Sequence, residues 1–243
     1  MDLQAAAQLI QSAQSLVVLT GAGCSVDSGV PDFRSPSGWW RQIDPRTLAT
    51  VEALETDYDN FHSFYAARTE HLAEIQPHAG HHVLARWEQE GRLQLIATQN
   101  VDGLHQSAGN RQVEELHGSI RNFRCQRCGQ KSNQEDFLQK KPCACGGKLR
   151  PDVVLFGESL PQTAWNRSMQ AIEKADVVLV IGTSLQVYPV NQLPFMTKGK
   201  LILINKELTG EEHHFDVVIQ GGAKECLVAT NNEMVQDYDL NEG

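Results

Sequence analysis

The sequence predicts an α/β fold built on a parallel sheet with helices on both faces. Short apolar runs at Leu16–Thr20, Leu93–Thr98, Val177–Ile181 and Lys200–Ile204 lack the alternation of a half-exposed strand, as strands buried on both faces do. Segments of helical period lie between them, the pattern that builds parallel sheets. Polar turns follow the runs, at the strand ends where open parallel sheets bind ligands.

Taken in order, Leu3–Ser12 reads as an amphipathic helix and Leu16–Thr20 as the first buried strand. Ser35–Asp57, with Trp39, Trp40 and Pro45, reads as loop with short helices, and Asp59–Ala73 has helical spacing. Pro77–Glu90 predicts a helix with proline in its first turn, where a missing N–H costs little, closed by Gly91. After the strand Leu93–Thr98 comes the polar turn Gln99–Leu104. Ile120–Arg150 breaks the pattern, being polar and cysteine-bearing. Val153–Phe156 is strand-like, Pro161–Lys174 helical, and Val177–Ile181, Lys200–Ile204 and Asp216–Ile219 are strands. Gly222–Met234 closes the chain as a helix, and residues 236–243 form an acidic tail expected to fray.

The 243 residues suffice for one large domain or one domain with an insertion. A formal charge of −9 argues against direct nucleic-acid binding, which calls for a basic face. No apolar stretch reaches the roughly 18 residues of a membrane span, so no membrane partner is expected. The start, Met-Asp-Leu-Gln-Ala-Ala-Ala-Gln, lacks the basic region of a signal peptide. Clustered cysteines read as metal ligands in a reducing compartment, so a cytoplasmic location is expected.

The turn after the first strand, Gly21-Ala22-Gly23-Cys24-Ser25-Val26, looks like a phosphate cradle. It departs from the dinucleotide fingerprint, because Val26 stands where a third glycine belongs. The run then ends in Pro31-Asp32-Phe33-Arg34, an aromatic beside a cation, where a plain cofactor loop would continue as helix. Further polar groups follow the other strands: Gln99-Asn100-Val101-Asp102, Gly182-Thr183-Ser184 and Asn205. Four such turns on one sheet edge describe a site the size of a dinucleotide.

Cys125-x-x-Cys128 and Cys143-x-Cys145, 14 residues apart, suit tetrahedral zinc. The second pair is one residue tighter than usual, a difference that Gly146-Gly147 can absorb. Neither pair contains a His, Asp or Glu, so a closed structural site is expected.

These motifs occur in one order: the Gly21–Arg34 loop, Thr98-Gln99-Asn100-Val101-Asp102-Gly103-Leu104-His105, Leu116-His117-Gly118, the paired cysteines, Phe156-Gly157-Glu158 and Gly182-Thr183-Ser184-Leu185. The chain thereby resembles the sirtuin family of NAD-dependent protein deacylases, from about Leu16 to Leu227. The resemblance implies a Rossmann-like domain (1–34, 74–118 and 153–243). It also implies a small module made from a helical insertion (35–73) and a zinc ribbon (119–152). NAD and an acyl-lysine protein or peptide would enter the cleft between them. Gly21, Ala22, Gly23 and Ser25 would hold the diphosphate, and Asp32, Phe33 and Arg34 would border the reacting ribose and nicotinamide. Gln99, Asn100 and Asp102 would line the ribose and nicotinamide pocket. Gly182, Thr183 and Ser184 would contact phosphate and ribose, Asn205 the adenosine ribose, and residues 222–226 the adenine. His117 would be the base that deprotonates a ribose hydroxyl, with Asn100 beside it in the catalytic set. The products would be nicotinamide, free lysine and O-acyl-ADP-ribose, so the reaction is a transfer.

Phe156, Gly157 and Glu158, with Gln186-Val187-Tyr188, resemble the two edges that clamp the peptide as an added strand. Tyr65 and Arg68 share a helix face and match the pair with which some sirtuins hold a succinyl or malonyl carboxylate; equally, they read as a core aromatic beside a surface arginine. Cys24, in the loop, reads as a small packed residue or as an oxidisable thiol. Three further functions compete. An ADP-ribosyltransferase would need no histidine base. A sensing module without turnover would not need Asn100, Asp102 and His117. A hydride-transfer dehydrogenase would want the missing glycine.

Overall fold

The computed structural model describes residues 2–31 and 45–241. Its elements, in chain order, are α1 (Leu3–Ser12), β1 (Leu16–Thr20), α2 (Pro45–Leu48), α3 (Val51–Thr56), α4 (Tyr58–Glu74), α5 (Ala79–Gln89), β2 (Leu93–Thr98), α6 (Leu104–Ala108) and β3 (Val113–Glu115). They continue with β4 (Gly118–Cys125), β5 (Lys131–Ser132), α7 (Gln134–Leu138), β6 (Leu149–Val153), α8 (Gln162–Lys174), β7 (Val177–Ile181), β8 (Lys200–Asn205), β9 (Val217–Gln220) and α9 (Ala223–Asn241).

Six strands form a parallel sheet in the order β3-β2-β1-β7-β8-β9. Each apolar run supplies two cores by alternation. Leu16, Val18, Ile96, Leu179 and Ile202 pack against residues of α1, α5 and α9, such as Ile10, Leu84 and Leu227. Val17, Leu19, Ala97, Val178 and Leu203 pack on the opposite face against Ile172 of α8 and Leu193. The predicted α/β class therefore holds, with both faces covered. β1 has β2 on one side and β7 on the other, so the chain changes direction across the sheet at β1. A crevice opens at such a switch point.

A second, antiparallel sheet has the order β5-β4-β6. A third apolar cluster joins it to the helices before α5: Leu54, Phe61, Tyr65 and Leu72 pack with Ile120, Phe123, Phe137, Leu149 and Leu155.

Three expectations need correction, and one strand was not foreseen. The strand predicted at Val153–Phe156 lies at Leu149–Val153 and belongs to the small sheet; Phe156 makes only an isolated bridge to Thr50. Arg150, Pro151 and Asp152 hid this strand from a reading based on apolar runs, because a proline and two charges are uncommon in one. The helix predicted from Pro77 begins at Ala79, where His78 is the N-cap and its ring accepts from the Gly80 N–H. Beyond Met234 the last helix continues to Asn241, through the segment expected to fray. The edge strand β3 escaped prediction because it is only three residues long. Among the described residues no helix is long and apolar enough to cross a membrane.

Candidate functional site

Three strands end side by side. Thr20 pairs with Thr98 on one side and Ile181 on the other, so Gly21, Gln99 and Gly182 leave the sheet together. The Gly23 N–H donates to the Gly182 carbonyl at 2.8 Å. A methyl group on Gly21 would lie 2.8 Å from the Gly182 oxygen, and one on Gly23 would lie 2.8 Å from the Gly182 Cα. These glycines therefore let the β1 and β7 loops touch, before any anion is considered. Two short 3₁₀ turns follow, Ala22–Cys24 and Val26–Ser28, closed by Gly29 at φ 91°.

Gly182 is the tightest point. Its φ of 61° is left-handed, and a Cβ there would overlap the Cys24 amide nitrogen. Gly182→Ala is expected to destabilise the protein by more than the 1–2 kcal/mol or so of a left-handed alanine, because the clash is with backbone. Gly29→Ala, with open space around its Cβ, is expected to cost only the conformational part. Urea midpoints of the two variants check this.

Beneath the loop lies a buried polar cluster. The Ser25 hydroxyl donates to Asp102 Oδ2 at 2.8 Å and accepts from Asn100 Nδ2 at 3.1 Å. The Leu104 N–H donates to Asp102 Oδ1 at 2.9 Å, and Arg121 Nε donates to the Asp102 carbonyl at 2.6 Å. Burial pushes the Asp102 carboxyl above the usual range, opposed by the Leu104 and Ser25 hydrogen bonds. Ser25, expected to face phosphate, gives its hydroxyl hydrogen to Asp102.

His117 sits between β3 and β4. Its Nδ1 is 3.0 Å from the Gln99 carbonyl oxygen. A carbonyl can only accept, so Nδ1 carries the hydrogen and Nε2 is left with a lone pair. Burial holds this imidazole below the ordinary histidine pKa, opposed by the Gln99 bond. The Gln99 amide donates to Thr183 Oγ1 at 3.1 Å, and Asn205 Nδ2 donates to the Thr183 carbonyl at 3.2 Å. Next to Ser184, Leu185 adopts φ 53°, a strained conformation for a branched side chain, and its N–H donates to Thr183 Oγ1. Gln99, Asn100, Asp102, His117, Thr183 and Asn205 are thus brought to one edge. Ala22 and Ser184 lie in its loops, while Asp32, Phe33 and Arg34 lie outside the described residues.

The four clustered cysteines lie with Sγ atoms within 4.8 Å of one another. Cys125 is 3.6 Å from Cys145, and Cys128 is 3.7 Å from Cys143. Zn–S bonds of about 2.3 Å at tetrahedral angles place sulfurs about 3.8 Å apart, so the set fits zinc. The tight second pair is accommodated as expected: Gly146 takes φ 78°, and the Cys143 N–H donates to the Gly147 carbonyl.

The peptide-side residues divide. Phe156 is 55% exposed and Tyr188 80% exposed, and Gly157 takes φ 92°. Glu158, expected to meet substrate, turns inward: its carboxylate accepts from Arg150 Nη1 at 2.7 Å, Arg150 Nη2 at 2.9 Å and the Leu155 N–H. Tyr65 is a core residue in tilted contact with the Phe61 ring, and Arg68 lies over the Phe64 and Tyr65 rings at 5.5 and 5.9 Å. Arg150, fully buried, was missed, as were Arg121 and Asp27, whose carboxylate accepts from the Lys224 N–H at the start of α9. The partners of Arg121 and Asp27 lie 19 and 197 positions away and that of Arg150 lies 8 positions away, so neither helical nor strand period marks these charges.

The profile of the Sir2 family matches residues 21–189. The chain is 47% identical to the NAD-dependent protein deacetylase 1 of Geobacillus kaustophilus over 233 residues, 93% of this chain and 96% of that one. It is similar to a mutant Sir2 homologue in complex with ADP-ribose (TM-score 0.92, 36% identity, 97% and 98% of the two chains). It is also similar to a Sir2 mutant bound to a deacetylated p53 peptide and 3′-O-acetyl-ADP-ribose (TM-score 0.87, 31% identity, 96% and 98%). A match of this length, on the residues that build the strand-end crevice, makes the chain a member of the Sir2 family.

Proposed function

We propose that this protein removes acyl groups from protein lysines at the expense of NAD, giving nicotinamide, free lysine and O-acyl-ADP-ribose. One observation carries the reading: His117 is held by the Gln99 carbonyl with its Nε2 lone pair available, among residues that end adjacent strands. NAD is a substrate here. Loss of nicotinamide develops positive character at the ribose carbon, which the acyl oxygen captures. His117 Nε2 then takes the proton of a ribose hydroxyl, freeing that oxygen to attack the acyl-derived carbon. Water completes the release of lysine.

The other roles follow from the arrangement. Asn100 and Asp102, tied together through Ser25, border the nicotinamide, and Asp102 holds its carboxamide. Gly21, Ala22, Gly23 and Ser25 hold diphosphate through their backbone. Gln99, Gly182, Thr183, Ser184 and Asn205 hold phosphate and ribose. Asp32, Phe33 and Arg34 are assigned on their motif alone. Phe156 and Gly157 contact the peptide, while Glu158 supports them through Arg150. The helical insertion (35–73) and the zinc ribbon (119–152) act as one module against the NAD-binding part, a reading supported by their shared apolar cluster. The four-cysteine cluster, a metal-ligand use of cysteine, supports a cytoplasmic enzyme. The acidic composition supports a protein substrate in preference to nucleic acid.

Incubation with NAD and acetyl-lysine peptide, with products identified by mass, tests this reading. O-acetyl-ADP-ribose supports it. Labelled protein would mark an ADP-ribosyltransferase, NADH a dehydrogenase, and no turnover a sensing module.

The acyl group is decided separately. If Arg68 holds a distal carboxylate, Arg68→Met lowers succinyl-lysine turnover at least about tenfold, the order of one charge-assisted hydrogen bond, and spares acetyl-lysine. Unchanged succinyl turnover rejects that role and leaves the arginine packed on its two rings.

A further inference from the structure

Behind the glycine-rich loop lies a set of side chains that the chemistry above does not use. Cys24, His81 and His105 are at most 1% exposed, and one ligand atom of each lies within 4.8 Å of the other two. They come from three places: the Ala22–Cys24 turn, α5 and α6. Three points so spaced share a centre about 2.8 Å or less from each, a small movement away from the 2.0–2.3 Å or so of metal bonds to imidazole and thiolate.

The hydrogen bonding there is incomplete. Neither ring nitrogen of His81 has a partner, nor does Nδ1 of His105, although buried nitrogens nearly always have one. His105 is held through its other nitrogen, with Nε2 3.0 Å from Thr20 Oγ1. The Thr20 hydroxyl donates to Thr98 Oγ1 at 2.7 Å, so its hydrogen is used. His105 Nε2 therefore donates to Thr20, and Nδ1 is a bare lone pair. Ligand histidines are oriented in this way, by a fixed acceptor on the second nitrogen. His78, its ring tilted against His81 with centroids 4.1 Å apart, has no nitrogen free: Nε2 donates to the Cys24 carbonyl at 2.7 Å, and Nδ1 accepts from Gly80 at 3.0 Å.

Charge selects the ion. One thiolate and two neutral imidazoles carry a single negative charge. Together with a monovalent cation these three donors are neutral, the form that costs least to bury. A soft thiolate-bearing set of three suits Cu(I).

We propose that Cys24, His81 and His105 form a buried three-coordinate site for Cu(I) beneath the nucleotide loop. The ion replaces the thiol hydrogen, which leaves as one proton, and no group changes oxidation state.

The test uses zinc-loaded protein under anaerobic conditions, with Cu(I) buffered by bicinchoninate and zinc release followed by a second chelator. Wild type is expected to bind one more copper per chain than Cys24→Ala, to release one proton per copper, and to keep its zinc. Its melting temperature is expected to rise with copper, as that of any protein whose folded state alone binds a ligand, while that of the variant stays level. Equal copper in wild type and Cys24→Ala overturns the proposal, as does copper that enters only as zinc leaves.

Discussion

His117→Ala is expected to lower deacylation about 10²–10⁴-fold, the range for loss of a positioned general base, while NAD affinity changes little. The imidazole is anchored through Nδ1 to the Gln99 carbonyl, so only Nε2 can accept a proton. The variant removes that acceptor and leaves the Gln99–Thr183 link, the loop contact at Gly182 and the Ser25–Asn100–Asp102 cluster in place. Single-turnover rates and NAD titration separate the two effects, and wild-type rates in the variant would exclude His117 as the base. The pH profile supplies a second reading. Only neutral imidazole is a base, and burial lowers its pKa. The neutral form therefore persists to lower pH than for an ordinary histidine, and the acid limb of kcat/KM is expected below the usual value of about 6.5. An acid limb above that value would contradict the buried environment of His117.

Removing zinc is expected to unfold the β5-β4-β6 module and abolish turnover while the parallel sheet persists. Zinc bound to four thiolates supplies about 10–16 kcal/mol in small zinc peptides, more than a three-stranded sheet can replace. The module also reaches the catalytic edge. The Ile120 N–H donates to the Val101 carbonyl, Arg121 holds the Asp102 carbonyl, and Arg150 forks onto Glu158 beside Phe156. Losing it frees the backbone that carries Asn100 and Asp102. Hydrogen exchange after chelation checks this, with amides of 118–153 losing protection and those of β1, β7 and β8 retaining it. Full activity in a zinc-free Cys145→Ala protein would overturn the structural role. The apolar cluster of Leu54, Phe61, Tyr65 and Phe137 would then suffice to hold the module.

The legible parts of the fold were those encoded by neighbours in sequence. Leu16–Thr20 and Val177–Ile181 declared themselves as buried strands because four and five consecutive residues, respectively, are apolar. β6 did not, because its Arg150 is buried by an ion pair with Glu158, and such compensation leaves no mark on periodicity. The glycines of the loop were legible as a close approach, but what approaches them first is the neighbouring loop at Gly182. Glu158 looked like a surface carboxylate until its partner was seen.

The sequence by itself determined the α/β class, the zinc-ligand set and the residues that gather at the sheet edge, because apolar runs, cysteine spacing and ordered motifs are local properties of the chain. Only the tertiary structure decided which nitrogen of His117 is basic, that Ser25 serves Asp102, and that Cys24 lies against two unpartnered histidines. Those facts depend on contacts between residues 18, 77 and more than 50 positions apart. The order of residues lists such groups, but packing alone sets which polar atom meets which.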